Sequence, residues 1–353
     1  MSEEQVAHPA LRRMRQAARW LFAVALIYLV VRYLQQHPAA IYSLAALESW
    51  RLVVVTLLLV LAIMLHALRT YLIIRRHADP RLGYGSWLDL VVKARILNMA
   101  GSQLGNLYRA RKLKQSYNVP YGSYVSSFGF FTWVDTAVNL ALAVALLSLL
   151  QLVGAPPPLT AAYVAPFLAC WLLILPAASA FRSLIGRTRL SNRVFRALAA
   201  HAEGFLKDFR SAAGNLSLVL SLVLLGLVAF FNLTLAQMLI FRGLGAEVTL
   251  SQLVVVIVLY RLSLLVILTP GNVGVTEWTI GGACLLVGID VGAGLLVSLL
   301  LRAFSLLALV LLAALRAAVS VVLGLAQPRR HPDRDAPPGD APPTVTPGST
   351  RRG

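Results

Sequence analysis

Acidic side chains are scarce in this chain. Asp and Glu together number 14 against 32 Lys and Arg, and residues of either charge make up only 13% of the 353. A soluble domain of this length needs a wetter exterior, because its core saturates while its surface must still be solvated. Cysteine is nearly absent as well. Cys170 and Cys284 lie far apart in apolar stretches, with no CxxC or Cys/His spacing around them. That excludes a disulfide framework and a thiolate metal site, and both read as small buried hydrophobes. Enzyme signatures are missing too. There is no GxSxG, Walker loop, HExxH or GxGxxG, and the acids are scattered rather than paired. No catalytic residue, metal ligand or cofactor is therefore assigned, although a single Asp or Glu in a pocket would suffice for an intramembrane transferase acting on a lipid-linked sugar.

What fills the chain instead is apolar sequence. Hydrophobic residues make up 58% of it and the mean hydropathy is +0.75, which describes a polytopic membrane protein. A net charge of +18 and a pI near 10.9 would suggest nucleic acid in a soluble protein. Here the Arg and Lys residues concentrate in particular loops between apolar runs. They describe topology, and no nucleic-acid partner is expected.

The full-length span candidates are Trp20–Leu34, Leu52–Ile74, Tyr124–Leu150, Tyr163–Ala180, Leu216–Phe241 and Ala293–Leu323, to be compared with a hydrocarbon core of about 30 Å. The first follows the basic "LRRMRQAAR", and no small-residue cleavage site comes soon after it. It reads as an uncleaved span rather than a signal peptide. The N-terminus carries Arg12, Arg13, Arg15 and Arg19, the loop after the second span carries Arg75, Arg76 and Arg81, and the connection from Phe181 to Asn215 is basic throughout. By contrast, "QQHPAAIYSLAALES" and "QLVGAPPPLTAA" contain no Lys or Arg. The positive-inside rule puts both termini in the cytoplasm.

Two segments do not fit as simple spans. Trp87–Gln115 is apolar at its start, carries Lys93 and Arg95, bends at Gly101 and Gly105 and ends basic, between flanks that both read as cytoplasmic. Gln252–Ile289 is interrupted by "TPGNVGVTEW", and its flanks are poor in Lys and Arg and read as external. The expected fold is an all-α polytopic membrane protein with about six full transmembrane helices plus two re-entrant broken-helix hairpins, one from each face, which suggests an inverted repeat. Residues 1–19 are expected to form a basic cytoplasmic N-terminus, 20–325 the transmembrane domain, and 326–353, rich in proline, a disordered cytoplasmic tail. Leu190 to Phe209 has the spacing of an amphipathic helix lying on the inner leaflet.

Non-helical backbone at membrane depth is tolerated only where protein or a water-filled cavity satisfies it. The break at Pro270, Gly271 and Gly274 is therefore read as a binding element, with helix N-termini offering N–H groups to an anion. The alternative is a mere kink in a buried helix. Gly274 is expected to need a positive φ or a close backbone approach. Asp135, Arg261, Glu277 and Arg302 are ionisable residues inside apolar runs, each worth about 2.5–3.5 kcal/mol of insertion penalty if unpaired at a helix centre. Pairing relieves that, and Glu277 with Arg261 or Arg302 is the preferred couple; it serves either transport or only the packing of two spans. His66 reads as a packing residue. Arg109 follows Gly105 by about one helical turn in "GNLYRARKLK", where it would hold a lipid phosphate at the cytoplasmic mouth or simply join a positive-inside cluster.

These motifs resemble those of the lysylphosphatidylglycerol synthase transmembrane region family, often described as flippase-like. That family has a first motif like P-G-x-x-G-E-x-x-R-A and a second like P-G-G-x-G-V-x-E. The first is matched by Gly105, Arg109 and Ala110, and the second by Pro270, Gly271, Gly274, Val275 and Glu277. Asn106 stands in place of an acid, Ala100 near an expected proline, and Asn272 in place of a glycine. Asp135 falls where the family has an E-R-x-x-D pattern, here with Phe131 and Thr132 in place of Glu-Arg. The resemblance spans roughly residues 15–325 and implies a bacterial inner-membrane protein that binds or translocates polar lipids, anionic or glycosylated. It implies substrate contacts at Gly105, Asn106, Arg109, Asp135, Arg261, Pro270, Gly271, Gly274, Glu277 and Arg302. The expected partners are membrane lipids, with homo-oligomerisation left open. Family members can carry a soluble aminoacyl-transfer domain; none follows here, so synthase activity is not expected. The rival readings are an enzyme or accessory subunit of lipid or hopanoid modification, and a non-transporting scaffold.

Overall fold

A computed structural model describes residues 9–42, 44, 47–100, 103–154, 161–173, 207–265 and 268–326. Where they are described, the apolar runs fold as helices, and no strand occurs among the described residues. In chain order they are α1 (Pro9–Gln36), α2 (Pro38–Tyr42), α3 (Ser49–Ile74), α4 (Tyr84–Ala100), α5 (Leu104–Tyr117), α6 (Tyr121–Leu152), α7 (Ala161–Leu173), α8 (207–213), α9 (Leu216–Gly243), α10 (Leu250–Ser263), α11 (Val275–Leu286) and α12 (Val291–Ala326). The chain divides into two units, Met1–Ala313 and Ala314–Gly353; the described part of the second is the end of α12.

Among the described residues, four helices are long and apolar enough to cross a membrane: α3, α6, α9 and α12. Only 33–44% of their span windows is buried within the protein, so most of their apolar surface faces outward, which suits lipid rather than water. The first expected span lies within α1, whose apolar part, Leu21–Gln36, is shorter than these four, and the fourth extends beyond α7 into residues outside the described ones. The helix of α1 starts at Pro9 and runs straight through residue 19, so the basic stretch and the first apolar run form one element.

Local chemistry sets several boundaries. Asn215 caps α9, its Oδ1 accepting from the Leu218 N–H at 2.8 Å. Thr249 and Gln252 exchange side-chain and backbone bonds at the start of α10, a reciprocal cap that satisfies two N–H groups. Leu253 to Val258 on α10 are all buried, as required of a helix that is apolar on every side. Accordingly α10 packs on α6, α9 and α11, while α3 packs on α9, α6 and α4.

Two pairs of short helices are closed at their outer ends. Asp79, before α4, donates its N–H to the carbonyl of Tyr117 at the end of α5, 3.2 Å away. Gln252 at the start of α10 donates from Nε2 to the Val287 carbonyl, 3.0 Å away beyond the end of α11. Each pair thus begins and ends in one place.

One expectation falls almost wholly on residues outside the described ones, and another is corrected here. Residues 190–206 of the amphipathic stretch lie outside the described residues, but Phe209 on α8 is buried, edge-on to Phe130 at 4.9 Å and Trp133 at 5.5 Å. A large aromatic gains more from protein contacts than from the headgroup layer, and α8 packs inward. Cys284 is buried as expected, whereas Cys170 is exposed on α7. The tail from Gln327 lies outside the described residues.

Candidate functional site

The break in "TPGNVGVTEW" is real backbone irregularity. After α10, a short 3-10 turn covers Pro270–Asn272, and Gly271, Asn272 and Gly274 have φ of +60°, +52° and +83°. Thr269 closes the turn, its hydroxyl donating to the Val273 carbonyl at 2.7 Å. Gly274 meets both expectations placed on it. Its φ is positive, and a Cβ there would overlap the Leu26 side chain on α1.

Glu277 is 2% exposed and sits one turn into α11. One carboxylate oxygen accepts from the Gly274 N–H at 2.6 Å, and the other accepts from Arg302 Nε at 2.9 Å. The same guanidinium donates to the carbonyls of Gly271 at 3.1 Å and Asn272 at 3.3 Å. Arg302 therefore knits the break from α12, and of the two candidate partners it is the one that Glu277 takes. The N–H group expected to await an anion at this helix start is instead filled by Glu277 itself.

Arg261 pairs elsewhere. Its Nη1 lies 3.8 Å from Asp135 Oδ2 on α6, and Arg69 Nη1 on α3 donates to Asp135 Oδ1 at 2.6 Å. Asp135 is thus shared between two arginines. Arg69, with a side chain 3% exposed, went unassigned in the sequence because it sits just inside the end of a span whose following loop carries Arg75 and Arg76. An arginine inside the "LHALRTYLII" end of an otherwise apolar run was the available signal. His66, read as a packing residue, shares α3 with Arg69 and packs edge-on to Phe131 at 5.1 Å.

The first break follows a similar plan. Gln103 has a φ of +69°, and Asn98 Oδ1 accepts from the Gly105 N–H at 2.8 Å. A Cβ on Gly105 would overlap the Ala94 carbonyl, so the glycine lets α5 lie against α4. Gly101 lies outside the described residues. Arg109 is buried and donates to Asn106 Oδ1 at 2.5 Å, while Asn106 in turn donates to Gln103. The amide at 106 supplies the acceptor that the family's acid would. Asn98 carries the cap of this break and was not singled out in the sequence.

The two breaks meet. The 3-10 turn packs on α4, and a Cβ on Gly271 would lie 4.0 Å from the Asn98 carbonyl oxygen and 3.9 Å from Arg302 Nη1. Asp135, Arg261 and Arg69 form one charged group, and Glu277 and Arg302 form another with the Pro270–Gly274 backbone. Among the described residues, no three His, Cys, Asp or Glu side chains are placed to hold a metal.

Residues 16–313 match the family described as "Lysylphosphatidylglycerol synthase TM region". The chain belongs to that family. No curated protein and no solved structure matches it. Membership in the lysylphosphatidylglycerol synthase TM region family, together with the apolar helices, makes this a multi-pass membrane protein of a lipid-handling family. Within the family's second motif, Asn272 keeps the positive φ that a glycine would adopt most freely, which Asn tolerates better than most side chains.

Proposed function

We propose that this protein is a flippase-like translocase of polar lipids in the bacterial inner membrane, with both termini in the cytoplasm. The observation that carries the reading is the meeting of the two breaks, Gly271 against Asn98, inside an apolar bundle. Irregular backbone at that depth is stable only beside protein or water, and two broken elements meeting in this way are a plan used by transporters.

Helix lengths support re-entrance. The 17 residues of α4 and the 12 of α11 rise about 26 Å and 18 Å, short of the roughly 30 Å of hydrocarbon. With their outer ends tied at Asp79–Tyr117 and Gln252–Val287, each pair enters and leaves by one face. The loop charges put the first pair on the cytoplasmic face and the second on the outer one. In this reading the lipid headgroup crosses between the break tips, past Arg109, Asp135 and Arg261, while the acyl chains stay in the bilayer. Glu277 and Arg302 hold the outer break in shape, and Gly105 and Asn106 shape the inner one.

Single cysteines at positions 45 and 157 are expected to react with an impermeant reagent from outside the cell, and labelling of either from the cytoplasm would overturn the topology. The reading itself is tested by native mass spectrometry of the protein extracted with its own lipids. A retained phospholipid or glycolipid is expected; a protein that carries no polar lipid at all contradicts it.

A further inference from the structure

Four arginines surround His66, and two of them share one carboxylate. Arg69 and Arg261 both pair with Asp135. The Arg69 guanidinium lies over Phe131 at 5.0 Å and that of Arg109 over Phe128 at 5.4 Å, and the two rings are 6.3 Å apart. His66 stands on the same Phe131 and is within electrostatic reach of Arg95, Arg109, Arg69 and Arg261. Arg95 in turn interacts with Arg109 and Arg261. The group comes from α3, α4, α5, α6 and α10, so it is built by the fold rather than by one basic loop.

The charges do not balance. Of these four arginines only Arg69 and Arg261 have a carboxylate partner among the described residues, and it is the same Asp135. Buried donors are left over: Arg69 Nε and Nη2, Arg109 Nε and Arg261 Nε have no hydrogen-bond partner among the described residues, although Arg69 is 2% and Arg109 5% exposed. Nor is there slack around Arg69, since a Cβ on Gly226 of α9 would come within 3.3 Å of its Nη2. The Tyr124 hydroxyl faces the Arg109 guanidinium, the Ser127 hydroxyl is buried without a partner among the described residues, and both residues line a small cavity with Thr70, Trp87 and Phe128. Burying excess positive charge with unmet donors is strongly unfavourable without a counter-charge. The side of the group toward Arg261 stays partly open, at 24% side-chain exposure, so an anion has a way in.

We infer that Arg69, Arg95, Arg109 and Arg261 form a binding chamber for a phosphoryl group, and that Asp135 is the internal carboxylate which that group displaces. Guanidinium forks match phosphoryl oxygens two at a time, and the Tyr124 and Ser127 hydroxyls add neutral donors. Asp135 lies between Arg69 and Arg261. Loaded, the phosphoryl oxygens take those N–H groups, and Asp135 returns to them when the headgroup moves on. The inference rests on the lipid-handling reading for the source of the anion, and a lipid headgroup and free phosphate share the required chemistry.

The test is thermal unfolding of the purified protein in neutral detergent, titrated with short-chain phosphatidic acid, short-chain diacylglycerol or inorganic phosphate. Phosphatidic acid is expected to raise the melting temperature. Arg261→Gln, at the open edge of the group, should raise the half-saturating concentration roughly tenfold, equivalent to one lost charge-assisted hydrogen bond. Asp135→Asn should start less stable and bind more tightly, also by about tenfold, because the internal competitor is gone. That opposite response separates displacement from a merely structural carboxylate. Equal shifts in all three proteins, or equal stabilisation by the diacylglycerol, which carries no phosphoryl group, would overturn the chamber. A full response to inorganic phosphate at the same concentrations would keep the phosphoryl site and overturn the lipid as its source. Lipid movement in liposomes without any anion-dependent shift would sink this site and leave translocation standing.

Discussion

Gly274→Val is expected to leave little folded protein. The position has a φ of +83°, which a β-branched residue adopts only under strain, and its Cβ would occupy the place of the Leu26 side chain on α1. Backbone strain and overpacking each contribute about 1–3 kcal/mol, so roughly 3–5 kcal/mol is lost together, a large part of an ordinary protein's stability. The remedy is diagnostic. Leu26→Gly removes the Cβ that a side chain at 274 would meet first, so Gly274→Ala should lower the melting temperature less in the Leu26→Gly background than in the wild type. Wild-type expression and stability of Gly274→Val would show that the break does not need its left-handed turn.

Glu277→Gln is expected to lower stability by roughly 2–3 kcal/mol. Removing one member of a buried ion pair costs about 3–5 kcal/mol, and the lower figure reflects the 30% exposure of the Arg302 side chain, which water partly screens. The geometry gives the amide no good orientation. It has one acceptor oxygen, yet Gly274 N–H and Arg302 Nε both donate into this position, so the amide NH2 must face one of them. Charge reversal, Glu277→Arg with Arg302→Glu, should restore only part of the loss, because an arginine at 277 cannot accept from Gly274. Melting curves of the three proteins decide it. An unchanged melting temperature for Glu277→Gln together with abolished lipid movement would move Glu277 from holding the break to handling the substrate.

The break itself was legible because it is local. Pro270, Gly271 and Gly274 interrupt an apolar run, and both the need for an unusual backbone at Gly274 and the burial of a paired Glu277 follow from that stretch alone. The long helices were legible for the same reason, since an apolar run of that length has few other fates. The partners of the charges were not. Asp135 lies 66 residues from Arg69, and nothing periodic links them, so only the packing of α3 on α6 reveals the pair. The Asn98 cap on Gly105 depends on α4 and α5 folding back on each other, which no spacing rule specifies. Arg261 looked as near to Glu277 as Arg302 did, and the turn at Pro270–Asn272 is what carries it to the other charged group.

The central claim is movement of lipid through this charged interior, and reconstitution into liposomes tests it most directly. Purified wild-type protein, with its melting temperature checked in parallel, is placed in vesicles containing a fluorescent short-chain anionic phospholipid, and a reductant added outside bleaches whatever reaches the outer leaflet. The account predicts faster loss of the protected fluorescence than in protein-free vesicles, and a slower loss with folded Arg261→Gln. Folded wild-type protein that moves the lipid no faster than empty vesicles would contradict it.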